Sequence, residues 1–327
     1  LKHVSDEIRE QQPTHLILVP AFLEVMNRKI WTTARKTGKE GLLKAMMKVS
    51  DYLRKVGIDL RKVFFKEIQD AFGGNMRLII CGAAPIRPEI LRDFEAFGIQ
   101  ILFGYGLTEC APLAVMNNDK LHLAESVGLA LPGTQAKIID PDPQTGCGEL
   151  CVKGPMVMLG YYNNPAATAE VLDDEGFLHT GDLARIDEKG RVYISGRIKN
   201  VIVTENGKNI YPEEIEEMIM RIPEVIEVVV YSENDVMTAE VYTENNEAVD
   251  TAIRELNKTL PNYKAIKNIK FRDTEFEKTT TKKIKRQVNI DKKKAEKQKR
   301  KTGGNYEKET VNIFNDYSVS FYINSLF

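Results

Sequence analysis

Four short stretches of this 327-residue sequence carry side chains able to handle a charged ligand. Asp182, in Thr180-Gly181-Asp182, is a short carboxylate that can accept from two adjacent hydroxyls, which suits a ribose. Arg197 and Lys199, in Gly196-Arg197-Ile198-Lys199-Asn200, are cations behind a strand-like run at 192–195, and an Arg suits a phosphate. Tyr105-Gly106-Leu107-Thr108-Glu109 offers an aromatic face for a purine, a hydroxyl for a phosphate and a carboxylate for Mg²⁺. Gly82-Ala83-Ala84-Pro85 is small enough for a backbone to approach a ligand closely. Each stretch alone also has a plain reading. Gly-Asp is a surface turn, Gly-Arg a strand end with a solvated charge, and Tyr105 a core aromatic beside a surface Glu109.

The elements around these groups set them at strand ends. Residues 77–81 form a continuous apolar run of the kind buried in a parallel sheet, and it leads into Gly82. Pro88 opens a helix with Ile90, Leu91, Phe94 and Phe97 on one face, and Gly98 closes it. Residues 99–103 are the next strand, leading into Gly104 and Tyr105. Ligands of open α/β sheets sit at such neighbouring strand ends. Upstream, 14–19 is a short strand, and helical spacing follows through Phe22, Val25, Met26 and Ile30 and again over 42–56. Phe64, Phe65, Ile68 and Phe72 mark a further helix that Gly73-Gly74 ends. Downstream, short strands at 136–139, 149–153 and 191–195 alternate with Gly/Pro/Asp turns, which predicts a small β-barrel or a distorted sheet.

Composition narrows the class. Apolar residues make up 43% and aromatics 8%, as in a folded soluble protein, and the length allows two or three domains. A net charge of −1 gives no global field toward nucleic acid. Cys81, Cys110, Cys147 and Cys151 do not form a disulfide framework in a chain of this length, and no second Cys/His pair at ligand spacing supports a metal. The longest apolar run, 16–26, contains Pro20 and Glu24 and is too short to span a bilayer. The expected location is cytoplasmic.

Residues 199–287 predict a separate small α+β domain. Ile215, Met218, Ile219 and Ile222 follow Pro212 at helical spacing, and strands are expected at 225–231, 236–242 and 266–271. Between Lys282 and Lys301 stand 11 Lys/Arg against two acids, so 288–327 is expected to be a Lys-rich tail, loosely helical or disordered. Most lysines in such a run are solvated or meet polyanions.

In order and spacing, Thr180-Gly181-Asp182, Gly196–Asn200 and Asn206-Gly207-Lys208 resemble the late motifs of the adenylate-forming superfamily: acyl-CoA synthetases, luciferases and peptide-synthetase adenylation domains. Tyr105–Glu109 resembles its Y-G-x-T-E motif. Gly160-Tyr161-Tyr162-Asn163-Asn164-Pro165 resembles its G-Y-x-N-x-P segment, to which a structural role is assigned. The segment 276–286 resembles P-K-T-x-x-G-K-I-x-R, with Glu277 in place of the Pro and Lys282 in place of the Gly. Within the superfamily, Val19-Pro20-Ala21-Phe22, Gly82–Ile86 and Thr279–Lys283 look like bacterial long-chain fatty acyl-CoA synthetases.

The resemblance implies the C-terminal part of a large α/β domain. An α/β sheet subdomain, 1–119, would be followed by a β-barrel-like subdomain, 120–198, and then a small mobile α+β domain. It implies an ATP-dependent ligase that makes an acyl-AMP from a fatty acid and passes the acyl group to coenzyme A, with Mg²⁺ as cofactor. Tyr105 and Gly106 would lie at the adenine, with Gly82, Ala83 and Ala84 lining the nucleotide. Thr108 would meet phosphate, Glu109 the Mg²⁺, Asp182 the ribose and Arg197 ribose or phosphate. Lys283 would be the catalytic lysine, Gly207 would line the thiol tunnel and Lys199 would be the hinge. The family's early phosphate loop has no counterpart here and would precede Leu1, so the chain is expected to lack its N-terminal part. Alternative readings are a weak or inactive fragment that holds AMP or acyl-AMP, or an enzyme that hands the acyl group to a carrier protein. A third is an interaction protein whose tail meets a membrane or nucleic acid, with peripheral contact at the inner face of the membrane.

Overall fold

Apolar runs without polar alternation need cover on both faces, and the first sheet supplies it. The computed structural model describes residues 2–118, 123–204, 207–279, 284–286 and 289–290, with only the backbone for 2 and 3. The chain opens with helix α1 (Lys2–Gln11), strand β1 (His15–Leu18) and helices α2 (Pro20–Lys36), α3 (Glu40–Lys55), α4 (Arg61–Phe64) and α5 (Lys66–Ala71). Strand β2 (Leu78–Cys81), helix α6 (Pro88–Ala96) and strand β3 (Gln100–Tyr105) follow, then β4 (Val115–Met116) and β5 (Leu129–Ala130). The sheet runs β1-β2-β3-β4-β5. β1, β2 and β3 are parallel, while β4 and β5 add on antiparallel. β2-α6-β3 is the expected βαβ unit. The single helix expected around Phe64 is two short ones, α4 and α5.

Aromatic packing holds α5 and α6 under the sheet. Phe65, Phe72, Phe94 and Phe97 are each at most 2% exposed. Their rings meet edge to face, with Phe72 and Phe94 5.5 Å apart and Phe65 and Phe97 5.4 Å apart. Such pairs add about 0.5–1.5 kcal/mol beyond their burial. Gln69 fastens the same corner by donating from Nε2 to the Phe97 carbonyl at 2.8 Å.

Strands β6 (Gln135–Ile139), β7 (Gly148–Lys153), β8 (Leu178–Ile186) and β9 (Val192–Arg197) form a four-stranded antiparallel sheet in sequence order. This is the distorted-sheet form of the expected barrel-like subdomain. Register shifts at Glu149/Cys151 and at Leu183/Ala184 bend it. Helix α7 (Pro165–Val171) is capped by Asn164, whose side chain accepts from Ala167 N.

A second apolar core forms from β10 (Ile202–Val203), β11 (Asn209–Ile210), α8 (Pro212–Met220), β12 (Val225–Glu233), β13 (Val236–Thr243), α9 (Asn246–Asn257) and β14 (Asn268–Arg272). Ile215 and Ile219 of α8 and Val249 and Ile253 of α9 are buried in it, on the expected helical spacing. β12 and β13 pair antiparallel, and β14 joins β13 in parallel. The chain resolves into two compact units, Leu1–Glu275 and Phe276–Phe327. In the second unit, Lys278 bridges Ile284, and Asn289 bonds to the backbone of Glu277 and Lys285. Its Oδ1 accepts from Glu277 N at 3.1 Å, and its Nδ2 donates to the Lys285 carbonyl at 2.8 Å. A proline at 277 has no N–H to make the first bond, which gives Glu277 a reason in this chain. Lys283, and the Lys-rich stretch from 291 on, lie outside the described residues.

One half-buried carboxylate ties α2 to α6. Asp93 Oδ2 accepts from Asn27 Nδ2 at 2.9 Å and from Trp31 Nε1 at 2.7 Å. Burial raises its pKa above the ordinary value, against the two hydrogen bonds. Asp93→Ala strands both donors and is expected to cost about 2–4 kcal/mol in urea unfolding. Asp93→Asn keeps an acceptor and removes the half-buried charge, so it is expected to match or exceed the wild type at neutral pH. Because the folded-state pKa lies above the unfolded one, protonation favours the folded wild type. Any advantage of Asn shrinks as pH falls through the folded pKa.

Candidate active site

Three of the four stretches read from the sequence, those of Tyr105, Asp182 and Arg197, meet on the Asp182 carboxylate. Tyr105 ends β3, Asp182 lies inside β8, and Arg197 ends β9 in direct register with Asp182. Tyr105 Oη donates to Asp182 Oδ2 at 2.6 Å, and Arg197 Nε pairs with Asp182 Oδ1 at 2.7 Å. Asp182 is 6% exposed, whereas the Arg197 side chain is 49% exposed and reaches solvent. Two expectations change here. Thr180-Gly181-Asp182 is strand rather than turn, with Gly181 at φ +66° taking the irregularity. Arg197 belongs to its strand rather than following it.

Thr180 holds the backbone beneath this carboxylate. Its Oγ1 donates to the Leu150 carbonyl at 2.7 Å and accepts from Asp182 N at 3.1 Å. Tyr105 has a phenol pKa raised by burial first, then by the Asp182 charge and hydrogen bond, so it stays a proton donor. Asp182 thus has an apolar-side donor and a cationic partner on opposite oxygens. An ionised carboxylate acts only as an acceptor, which is the chemistry a pair of sugar hydroxyls calls for.

Thr108 and Glu109 stand on a 3-10 turn, Thr108–Cys110, just past Tyr105. Thr108 is exposed and Glu109 half-buried. Glu109 Oε1 accepts from Tyr161 Oη at 2.9 Å, and its carbonyl accepts from Met158 N at 2.8 Å. Tyr161, given a purely structural role in the sequence, therefore positions a candidate metal ligand. Burial raises its phenol pKa, with Glu109 adding to the rise. Oxygen donors suit Mg²⁺, which keeps several waters and needs only one or two carboxylates. Glu109 fits that demand.

Gly106 is fixed by close approach: a Cβ there would stand 1.9 Å from the Pro112 carbonyl oxygen. Gly82 follows β2, and a Cβ there would stand 3.0 Å from the Gly104 carbonyl oxygen, while Ala83 beside it takes φ +73°. The Gly82-Ala83-Ala84 and Tyr105-Gly106 loops therefore lie against each other at adjacent strand ends, where a ligand belongs.

Lys199 and Gly207 stand apart from this group. Lys199 is exposed in a 3-10 turn, Ile198–Asn200. Gly207 is exposed at φ +71° between β10 and β11. Among the described residues, no hydrogen bond or ion pair joins either to Asp182 or Glu109. What does lie near Lys199 is the start of α8: Asn200 Nδ2 donates to Glu213 Oε1 at 2.6 Å. A Cβ on Gly196 would stand 2.6 Å from Glu213 Oε2. Sequence spacing gave no sign of these contacts.

Residues 1–162 match the AMP-binding enzyme family. The chain is 34% identical to Long-chain-fatty-acid–CoA ligase 1 of Homo sapiens over 232 residues, 68% of this chain and 33% of the human protein. It is 43% identical to a Long-chain-fatty-acid–CoA ligase of Escherichia coli O6:H1 over 164 residues, 48% of this chain and 29% of that one. It therefore spans about a third of the length of these curated relatives. The crystal structure of ATP-bound MatB from Rhodopseudomonas palustris superposes with a TM-score of 0.67 at 27% identity, covering 90% of this chain and 53% of MatB. The o-succinylbenzoate CoA synthetase of Bacillus subtilis, in complex with its acyl-adenylate intermediate, has the same fold, with a TM-score of 0.65 at 22% identity over 88% of this chain and 52% of that one. Motifs, relatives and fold agree: the chain belongs to the adenylate-forming, AMP-binding superfamily and is homologous to the long-chain fatty acid–CoA ligases.

Proposed function

We propose that this chain is part of an ATP-dependent ligase that activates a long-chain fatty acid as acyl-AMP and transfers it to coenzyme A. The observation that carries the reading is the Asp182 carboxylate held between Tyr105 and Arg197 at the mouth of the parallel sheet. The acyl class and the thiol acceptor come from the named relatives.

In the first step a fatty-acid carboxylate oxygen attacks the α-phosphorus of ATP. The bond from that phosphorus to the bridging oxygen breaks, and pyrophosphate leaves. In the second, the sulfur of coenzyme A attacks the acyl carbonyl. The bond to AMP breaks, AMP leaves, and the thiol proton passes to solvent. Two anions meet in the first step, so fixed cations and donors must offset their repulsion. Asp182 accepts from the ribose hydroxyls, and its own position is set before the nucleotide arrives. Tyr105, fixed by its hydroxyl, offers its ring to the adenine, with the Gly82-Ala83-Ala84 loop lining the base. Arg197 reaches ribose or phosphate from its solvent side, and the Thr108 hydroxyl reaches phosphate. Glu109, steadied by Tyr161, holds Mg²⁺, which when bound supplies charge neutralisation on the phosphates. Lys283 serves the first step and Gly207 the second, with the backbone at Lys199 turning between them. The protein works in the cytoplasm on this reading.

AMP is expected to bind this chain better than GMP in calorimetry. Asp182→Asn should weaken AMP at least tenfold, about 1.4 kcal/mol, with the unfolding midpoint as a control on folding. Equal affinity for AMP and GMP, or none for either, overturns the reading.

The half-reactions separate the remaining roles. In an enzyme carrying the family's early phosphate loop as well as this chain, Lys283→Ala should depress pyrophosphate release while sparing thioester formation from supplied acyl-AMP. Lys199→Pro should cripple one half-reaction and leave the other, because proline fixes φ near −65° and removes a donor. If both half-reactions fall together for Lys283→Ala, or neither moves for Lys199→Pro, those assignments are wrong.

A further inference from the structure

Helix α3 carries more apolar surface than its packing uses. Leu43, Met46 and Met47 face the first core. A second stripe recurs at Leu42, Val49 and Val56, with Tyr52 between, so seven-residue spacing keeps it on one side of the helix. These four residues are 58%, 50%, 59% and 68% exposed in that order, where a buried role would leave little of each in water. Ile58 and Val63 extend the stripe past the end of the helix, at 48% and 70% exposed.

The charge around the stripe is one-sided. Residues 28–66 contain 12 Lys/Arg and three Asp/Glu, in a chain whose net charge is −1. Two of those acids are used locally, Glu40 by Lys44 at 2.7 Å and Asp51 by Lys55 at 2.9 Å, and the third, Asp59, pairs with Arg61 at 2.6 Å. Lys36, Lys39, Lys48 and Lys62 are exposed and have no ion-pair partner among the described residues. An apolar stripe bordered by unpaired lysines is what a helix lying in an anionic lipid interface presents. No described helix is long and apolar enough to cross a membrane, so the contact is along the surface.

We propose that α3 and the turn after it form a docking surface for an anionic lipid bilayer, with Leu42, Val49, Tyr52 and Val56 entering the headgroup boundary and the lysines meeting lipid phosphates. The surface stands on its own observations and does not depend on the ligase reading. If that reading also holds, docking places the enzyme beside a bilayer that dissolves its long-chain substrate.

Flotation of the full chain with phosphatidylcholine vesicles, with and without phosphatidylglycerol, tests this. The chain should float with the anionic vesicles, and high salt should release it. The triple variant Leu42→Ser, Val49→Ser, Tyr52→Ser should lose at least tenfold in bound fraction. So should Lys36→Glu, Lys39→Glu, Lys48→Glu. Both change exposed residues, and circular dichroism checks that they fold. Deleting 288–327 should leave flotation unchanged. The proposal is overturned if that deletion abolishes flotation, which would give the contact to the tail. It is also overturned if neither triple variant alters binding. A third contrary result is a chain that ignores vesicles but self-associates or binds duplex DNA through the stripe.

Discussion

The arrangement of the site depends on one carboxylate with two fixed partners. Asp182 is almost wholly buried, and a buried charge is tolerated only when paired and hydrogen-bonded. Tyr105 comes to it from the parallel sheet and Arg197 from the antiparallel one, so the interaction joins the ends of β3 and β9 to the middle of β8. Removing either partner would leave part of that charge unbalanced. The constraint explains why β8 carries a positive-φ glycine at 181: the strand must turn its carboxylate toward Tyr105 while Thr180 still reaches the Leu150 carbonyl.

The two cores of the first unit meet through a few specific contacts rather than a broad apolar face. Cys147 and Leu183 from the antiparallel sheet pack with Tyr211, the residue before α8. Arg87, before α6, donates to the Met220 carbonyl at the end of α8 at 3.3 Å, where a cation also suits the helix dipole. Arg221 pairs with Glu89 at 3.4 Å. Polar contacts of this kind between exposed side chains are individually weak, worth about 0–1 kcal/mol.

Much of this was legible in the residues. Apolar continuity marked β2 and β3, and helical spacing marked α6 and α8. Other features were hidden for physical reasons. Glycine beside aspartate signals a turn by composition, and only the cross-strand register with Arg197 makes Asp182 a strand residue. Asp187 and Gly190 mark the turn between β8 and β9, but the register also depends on the bulge at Leu183/Ala184, which has no local signature. Tyr161 reaches Glu109 across 52 residues of sequence, a contact no periodicity encodes. The family motifs supplied the rest: without them Lys283 is one lysine in a basic run.

The central claim is that Asp182 is a ribose acceptor built before the nucleotide binds. A crystal structure of the chain with a non-hydrolysable acyl-adenylate tests it most directly. The account predicts both ribose hydroxyls within hydrogen-bond distance of the Asp182 carboxylate, the adenine against Tyr105, and the Tyr105–Asp182 bond unchanged. An adenylate bound elsewhere, or one whose ribose leaves Asp182 untouched, would contradict it.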